Sequence, residues 1–235
     1  KHCANQIYVA NHTSMIDFVL LQQVAPFAAI GQKHRGWVGW LQSNVFKSIG
    51  GIWFERAEAK DRSRTSEIIQ KYIGKADEET NRLLVFPEGT CVNNRYCVQF
   101  KRGSFDIGAT ICPIAIKYND IFVNAYWNSR ERSFQRHIFD LMTSWALVAN
   151  IYFLEPQEIR QGEDSIQFAQ RVKDLICDAA EIQGVDWNGY LKYLRVKPRF
   201  VQHRQQVFAE SILRGSSDAR DDYYHYQCVI HPDQT

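Results

Sequence analysis

Residues 7–17 read IYVANHTSMID, and this short stretch decides the fold. Its first four residues are apolar and include β-branched side chains, which predicts a buried β-strand that Asn11 ends. Ser14 is a residue type that commonly caps a helix, and a helical pattern runs from it to about Gln23. A buried strand that passes directly into a helix is the unit from which α/β domains are built.

The same alternation continues along the chain. Further short apolar strands are predicted at residues 27–31, 52–54, 83–86, 114–118 and 149–154. Helices are predicted at residues 36–49, 60–73, 134–147 and 162–182. Strands that alternate with helices indicate an α/β fold with a mostly parallel central sheet covered by helices. Beyond Trp187 the composition becomes basic, aromatic and loop-like, and residues 214–235 are expected to be a poorly ordered tail.

Composition and charge exclude several classes of protein. The chain has 235 residues, 45% of them hydrophobic and 23% charged, with a formal net charge of +2. That charge is too near zero to favour nucleic-acid binding, which uses concentrated basic faces. The six cysteines contain no C-x-x-C pair, so we expect neither a zinc site nor a disulfide framework, and a reducing compartment fits. No apolar run is long enough for a membrane span, and the chain opens at Lys1, so we expect a piece of a longer protein.

His12 and Asp17 are the first candidates for chemistry. Histidine is the side chain best suited to take a proton near neutral pH, and a carboxylate on its other ring nitrogen fixes the tautomer. A spacing of five on one straight helix would place the two side chains about 140° apart. They can therefore meet only if His12 lies on the turn and Asp17 in the first helical turn. The alternative is purely structural, since Ser14 and Asp17 also fit a helix capping box.

Three further polar segments lie after predicted strands or between them. Residues 86–91, FPEGTC, leave a strand at the edge where open α/β sheets bind ligands, and Gly89 permits close approach of a substrate or anion. Arg56 follows the strand at 52–54 and suits bidentate binding of a phosphate. Residues 101–104, KRGS, form a small basic loop that could also hold phosphate. Taken singly, each segment is explained as well by an ordinary turn, a surface ion pair or a solvated charge cluster.

The order of these segments resembles one family. Four blocks carry the resemblance, and they read NHTSMID at 11–17, WFER at 53–56, FPEGT at 86–90 and ICPIA at 111–115. They are similar to the four ordered blocks of the glycerol-3-phosphate/lysophosphatidate acyltransferases. Further stretches, among them GTCVNN at 89–94, FKRGSF at 100–105 and MTSWA at 142–146, look like the endoplasmic-reticulum glycerol-3-phosphate acyltransferases of plants and animals. The resemblance spans about residues 5–213.

The resemblance implies the glycerolipid acyltransferase fold and an enzyme that moves a fatty acyl group from acyl-CoA to the sn-1 hydroxyl of glycerol 3-phosphate, giving lysophosphatidate. His12 would be the general base on the acceptor hydroxyl, and Asp17 its orienting partner. The implied substrate-binding residues are Arg56, Glu88, Gly89, Thr90 and Lys101. Pro113 would shape the acyl-donor side. Neither a metal nor a cofactor is expected, with acyl-CoA as co-substrate, and no covalent acyl-enzyme is required because the hydroxyl can attack the thioester directly.

The resemblance also implies a domain organisation and a location. Residues 1–213 would be the catalytic domain, a fragment of a longer membrane protein whose transmembrane segments are absent, with 214–235 as the tail. The expected location is the endoplasmic reticulum membrane, with the domain facing the cytosol and membrane lipid as a partner. Aromatic and basic residues interleave from Trp187 to Arg199, a mixture typical of membrane interfaces.

One departure from the family pattern leaves the acceptor open. Lysophosphatidate acyltransferases commonly have arginine after Glu-Gly-Thr, whereas this chain has Cys91, which favours glycerol 3-phosphate. Enzymes that acylate lysophosphatidylcholine also have Glu-Gly-Thr-Cys, so a lysophospholipid acyltransferase, acting on lysophosphatidate or lysophosphatidylcholine, stays an alternative. Two other classes are a non-catalytic membrane-lipid binding module and a hydrolase, although the sequence has no G-x-S-x-G nucleophile elbow.

Overall fold

A computed structural model describes residues 5–32, 52–54, 61–74, 82–128, 131–187, 189 and 198–214. The strands are β1 (Gln6–Ala10), β2 (Phe27–Gln32), β3 (Ile52–Phe54), β4 (Arg82–Val85), β5 (Tyr96–Cys97), β6 (Thr110–Asn119), β7 (Val148–Phe153) and β8 (Gln183–Gly184). The helices are α1 (Asp17–Gln22), α2 (Asp61–Ile73), α3 (Phe134–Thr143), α4 (Ser165–Ala180) and α5 (Pro198–Arg214).

Within these residues, the strands form a central six-stranded sheet in the order β3-β2-β4-β1-β6-β7 and a small pair of β5 with β8. All neighbours in the central sheet are parallel except β7, which is antiparallel to β6. Val9 of β1 lies opposite Val85 on one side and Pro113 on the other, so β1 is central. The carboxyl ends of β4, β1 and β6 therefore meet at one edge, called the carboxyl edge below. The predicted α/β fold with a mostly parallel central sheet is confirmed.

Each face of the sheet has its own hydrophobic core, because successive side chains along a strand point to opposite faces. In β1, Ile7 and Val9 belong to one core and Ala10 to the other. The first core also takes in Ile69 of α2 and, from α4, Phe168, Ala169, Val172 and Ile176. The second takes in Phe18 and Leu21 of α1. Helices thus cover both faces, which is why the central strands are apolar throughout.

Strand β6 is longer than predicted, since it begins at Thr110 rather than Ile114 and passes through Pro113. Proline cannot donate to a ladder and commonly ends a strand. Here the Pro113 carbonyl accepts from the N–H of Leu154 at 2.9 Å, on the side of β7. The backbone N–H and C=O of one strand residue point to the same side of the strand. The nitrogen of Pro113, which carries no hydrogen, therefore faces β7, and the hydrogen bonds between β6 and β1 stay intact.

Two predicted helices begin late or end early. Helix α1 begins at Asp17, with Ile16 in the cap position, so the prediction that Ser14 caps it is wrong. Helix α3 begins at Phe134 as predicted but ends at Thr143 instead of residue 147. The Ser144 hydroxyl donates to the Leu141 carbonyl at 2.7 Å while its own backbone is extended, which closes the last turn.

Helix α4 lies inside the predicted range of 162–182 because both of its ends are capped. Asp164 and Gln167 form a capping box at its start. Glu181 takes a left-handed conformation, with φ of 51°, at its end. The sequence pattern therefore located the helix, and local cap chemistry set its bounds.

The segment after Trp187 contains a helix that its composition did not reveal. Helix α5 begins with Pro198, a position where the missing N–H has no helical partner to lose. The prediction of a loop-like region is wrong there, since the helix runs to Arg214. Most α5 side chains that the structure describes are exposed, and polar or charged residues outnumber the apolar ones that recur at helical spacing, such as Val201 and Phe208. The predicted helix at 36–49 and residues 215–235 lie outside the described residues.

The structure also bears on membrane spans. In the part of the chain that it describes, no helix has both the length and the apolar composition that crossing a bilayer needs.

Two buried asparagine side chains extend the sheet beyond the carboxyl end of β1. Asn11 donates through Nδ2 to the Ile116 carbonyl and accepts through Oδ1 from the Ile116 N–H, both at 2.8 Å. Asn94 makes the same pair of bonds with Tyr118, at 2.6 and 3.0 Å. Each side-chain amide replaces a missing strand neighbour, so the last residues of β6 stay paired after β1 has ended.

Replacing Asn11 tests this extension. We expect Asn11→Ala to lower the free energy of unfolding by about 2–4 kcal/mol, because two buried backbone groups lose their partners. Urea denaturation measures the change. Asn150→Ala, an exposed asparagine on β7, is the control and should stay within about 0.5 kcal/mol of the original chain. An Asn11 variant as stable as that control would contradict the role given to the amide.

Candidate active site

The predicted site residues gather at the carboxyl edge. His12 follows β1 by two residues, and Glu88, Gly89 and Thr90 lie in the turn that follows β4. The N–H of Val92 donates to the His12 carbonyl at 2.8 Å, which ties the two segments together. The parallel sheet therefore brings together residues that are almost 80 positions apart in sequence.

His12 and Asp17 form a hydrogen-bonded pair. His12 Nδ1 and Asp17 Oδ2 are 2.9 Å apart. A carboxylate only accepts, so in the neutral ring Nδ1 carries the proton and Nε2 has the free lone pair. The imidazole stacks on Phe86 with ring centroids 4.3 Å apart, and the His12 side chain is 20% exposed. His12 on the turn and Asp17 in the first turn of α1 is the arrangement that the spacing predicts.

Asp17 is fully buried and also organises the turn. Its Oδ2 accepts from the backbone N–H groups of Thr13 at 2.8 Å and Ser14 at 3.0 Å, and its Oδ1 accepts from the Tyr118 hydroxyl. The capping box is thus half formed, since the Ser14 hydroxyl has no partner among the described residues. One carboxylate therefore holds both the backbone of the turn and the imidazole.

The other ring nitrogen of His12 faces Cys91. Cys91 Sγ lies 3.3 Å from Nε2 and is partly exposed. Burial lowers the pKa of His12, whereas charge on Cys91 and the hydrogen bonds to Asp17 and Cys91 raise it, and the net direction is well above the ordinary value. Nε2 is the ring atom placed to take a proton from an incoming donor.

Glu88 lies behind His12 rather than in the open part of the site. Its Oε1 accepts from the backbone N–H of His12 at 2.7 Å and its Oε2 from that of Val98 at 3.1 Å, and the residue is buried. Burial raises the pKa of Glu88 to about 7, against the lowering effect of these two bonds and of His12. Both oxygens thus hold backbone, and the carboxyl group braces the turn that carries His12.

Gly89 and Lys101 lie against each other. Gly89 has φ of +65°, a conformation that favours glycine, and a Cβ added there would collide with Lys101 Nζ. The Lys101 backbone N–H donates to the Pro87 carbonyl at 2.9 Å, which joins the segment around Lys101 to the turn after β4. Thr90 is buried, and its methyl group lies against Gly189. The turn after β4 therefore places an ammonium group at the same edge as His12.

The structure brings together all but one of the predicted site residues. The residues brought together are His12, Asp17, Glu88, Gly89, Thr90 and Lys101. Arg56, two positions beyond the end of β3, lies outside the described residues. Within the described ranges, no three His, Cys, Asp or Glu side chains cluster as a metal site would need.

Sequence patterns did not predict two contacts of the site. Tyr118 lies in a buried strand, 101 positions after Asp17, and has the pattern of any core residue. Burial and the charge of Asp17 raise the pKa of Tyr118, so its hydroxyl stays a donor. Cys91 stands out as a departure from a family pattern, but its contact with His12 spans 79 positions. Its place directly after Glu-Gly-Thr was the one available signal.

Comparisons with known proteins agree on a family. A family model described as acyltransferase matches residues 2–117. Glycerol-3-phosphate acyltransferase 3 of Rattus norvegicus is 40% identical over 211 residues, which cover 90% of this chain and 46% of that protein. The Homo sapiens protein of the same name is also 40% identical over 211 residues, covering 90% and 48%. Glycerol-3-phosphate acyltransferase 4 of Mus musculus is 39% identical over 212 residues, covering 90% and 46%. The chain spans about half the length of these curated relatives.

The raised pKa of Glu88 predicts a pH dependence of stability. An ordinary glutamate has a pKa of 4.5, whereas Glu88 in the folded chain titrates near 7, so between these values the folded state binds more protons. The stability contributed by protonated Glu88 is fully present below the lower value and is lost as the pH rises through the upper one, by up to about 3 kcal/mol.

Urea unfolding of the original chain and of Glu88→Ala at several pH values measures this contribution. It is the difference between the two slopes of unfolding free energy against pH. The alanine variant is less stable overall, because the N–H groups of His12 and Val98 lose an acceptor. Its stability should nevertheless fall less steeply with rising pH. Two parallel curves would show that Glu88 titrates alike in the folded and unfolded chain.

Proposed function

We propose, from the match of an acyltransferase family model to residues 2–117, that the chain transfers an acyl group from acyl-CoA to the sn-1 hydroxyl of glycerol 3-phosphate, giving lysophosphatidate. The observation that carries the proposal is the His12–Asp17 pair at the carboxyl edge, with Nε2 facing outward towards Cys91. The names of relatives about 40% identical over 90% of the chain support this acceptor. We propose no cofactor and no metal, with acyl-CoA as co-substrate.

In the proposed reaction, His12 acts as a general base. The acceptor hydroxyl takes the place of the Cys91 thiol at Nε2 and gives up its proton as its oxygen attacks the thioester carbonyl. CoA leaves as a thiolate and takes the proton back from His12, which restores the neutral ring. Asp17 keeps the proton on Nδ1 and stabilises the imidazolium between the two transfers. A base must be neutral at the start, so the reactive form has the neutral imidazole with its lone pair on Nε2.

The remaining predicted residues take positioning or binding roles in this proposal. Arg56 and Lys101 bind the phosphate dianion, and the turn of Gly89 and Thr90 shapes the acceptor site. Pro113 shapes the acyl-donor side, as the family resemblance implies. Glu88 holds the backbone of His12 with one oxygen and that of Val98 with the other, so we assign it to positioning rather than to a substrate hydroxyl.

The chain spans about half of its relatives' length. We propose that the whole protein works at the endoplasmic reticulum membrane, with this domain facing the cytosol.

A graded set of variants tests the base. His12→Ala should lower kcat by roughly 10²–10⁴, the usual contribution of general base catalysis, and Asp17→Asn nearly as much by allowing the wrong tautomer. Tyr118→Phe removes only the bond to Asp17 and should lower kcat by about tenfold, with KM nearly unchanged. Tyr152→Phe, an exposed tyrosine on β7, is the matched control. Circular dichroism checks folding, and a folded His12→Ala chain with near-normal turnover would remove the central claim.

The acceptor is tested by competition. Glycerol 3-phosphate presents a dianion and a small diol, and a site with two cations has no need to house an acyl chain on the acceptor. The choline group of lysophosphatidylcholine would bring a positive charge against Lys101. We expect kcat/KM for glycerol 3-phosphate to exceed that for lysophosphatidate by at least about tenfold, and that for lysophosphatidylcholine by more.

The measurement uses labelled acyl-CoA with all three acceptors present together. If a lysophospholipid forms the main product, the acceptor assignment is wrong while the His12 chemistry stands. Release of the CoA thiol separates the other classes. A transferase releases it only with donor and acceptor together, a hydrolase releases it without acceptor, and a lipid-binding module releases none.

A further inference from the structure

An exposed apolar surface lies beside the site. We call it the rim patch, and its members are Ile121, Phe122, Phe139, Met142 and Trp145. Met142 is 80% exposed and Trp145 85%. Phe122 and Trp145 are in ring contact, with centroids 4.9 Å apart, and Phe139 and Met142 share one face of α3. Single exposed apolar residues are ordinary on a protein surface, but a contiguous group marks a contact surface.

Chain connections place the rim patch at the carboxyl edge. Tyr118, whose hydroxyl bonds Asp17, precedes Ile121 by three residues, a span of at most about 11 Å. Val148, the first residue of β7, lies opposite Asn119 at the end of β6, and Trp145 precedes it by three residues. Both halves of the rim patch therefore adjoin the strand end that holds the His12–Asp17 pair.

Beside the rim patch, the described residues 131–143 carry equal numbers of cations and anions, Arg132 and Arg136 against Glu131 and Asp140. Arg132 and Arg136 both pair with Asp140, at 2.9 and 3.0 Å. The Arg136 guanidinium also lies 5.9 Å from the ring centroid of Phe139. Binding to an anionic lipid surface needs an excess of cations on the protein, whose attraction to the lipid extends over about one Debye length. Apolar and aromatic side chains with balanced charges suit a surface of zwitterionic lipid instead.

We propose that the rim patch docks the chain onto a zwitterionic lipid bilayer and so opens the site at the lipid surface. Trp145 and Phe122 sit at the level of the headgroups, and Ile121 and Met142 reach below them. The inference rests on the proposed function, because a fatty acyl-CoA and lysophosphatidate are amphiphiles that gather at a bilayer. Docking at the carboxyl edge gives the acyl chain a short path between the membrane and His12.

Cosedimentation with phosphatidylcholine vesicles tests the docking. The chain should sediment with the vesicles, and raising the salt concentration should change this little. The double variant Met142→Ser/Trp145→Ser should lower the partition coefficient by at least about tenfold, since binding follows the apolar area buried in the interface. Ile159→Ser/Ile166→Ser removes two exposed apolar side chains outside the rim patch and is the control that should bind normally.

A second measurement locates the inserted residue. Phosphatidylcholine brominated close to the glycerol end of its acyl chains quenches the fluorescence of a tryptophan that lies at the membrane interface. Trp145→Phe keeps an aromatic side chain, so it should still bind, but most of the quenching should disappear. Quenching that survives in this variant would place another tryptophan in the bilayer and overturn the assignment.

Activity with a short, water-soluble acyl-CoA separates this inference from the proposed function. The double variant should keep that activity, because the rim patch is not part of the chemistry. Vesicle binding without any transferase activity would reject the proposed function and leave the docking. An active, folded chain that ignores vesicles would overturn the docking. So would a dimer in sedimentation that the double variant dissociates, since a second copy would then cover the rim patch.

Discussion

The buried carboxylate of Asp17 is the interaction on which the site depends. An ionised carboxylate is tolerated out of water only where donors replace its hydration. Asp17 receives them from the imidazole, from the backbone of the turn after β1 and from the hydroxyl at the end of β6. One side chain therefore sets the shape of the turn, the tautomer of His12 and the position of a strand that lies about a hundred residues further along the chain.

A second layer of buried polar groups repeats this arrangement. Glu88 joins the turn after β4 to the backbone of His12, and Asn11 joins the end of β1 to β6. The supporting side chains are buried, whereas His12 and Cys91 stay partly open and Lys101 is exposed. Rigid, fully bonded groups thus surround the few that can meet a substrate, which is the arrangement that precise positioning requires.

Sequence patterns predicted the structural features that depend on residues close together in the chain. The order of strands and helices, the mostly parallel sheet and the meeting of His12 with Asp17 all follow from local periodicity and a spacing of five. Contacts across the sheet could not be predicted in this way. No local pattern distinguishes Tyr118 from an ordinary core residue, and none indicates that Cys91 lies against the imidazole. Helix α5 was missed because polar and charged side chains outnumber its apolar ones. The first part of β6 was missed because proline commonly ends a strand, whereas here the nitrogen of Pro113 faces β7 and the pairing with β1 is kept.

The sequence separations within the site have a consequence for how the protein matures. The bonds that hold His12 and Asp17 join positions that are 5, 76 and 101 residues apart. Closing the longer loops costs chain entropy that only the completed sheet returns. During synthesis, the imidazole therefore has its full set of supports only after β6 has left the ribosome and paired with β1. A nascent chain that ends before Tyr118 can form the first strand and helix, but it cannot yet hold the buried carboxylate in its final surroundings.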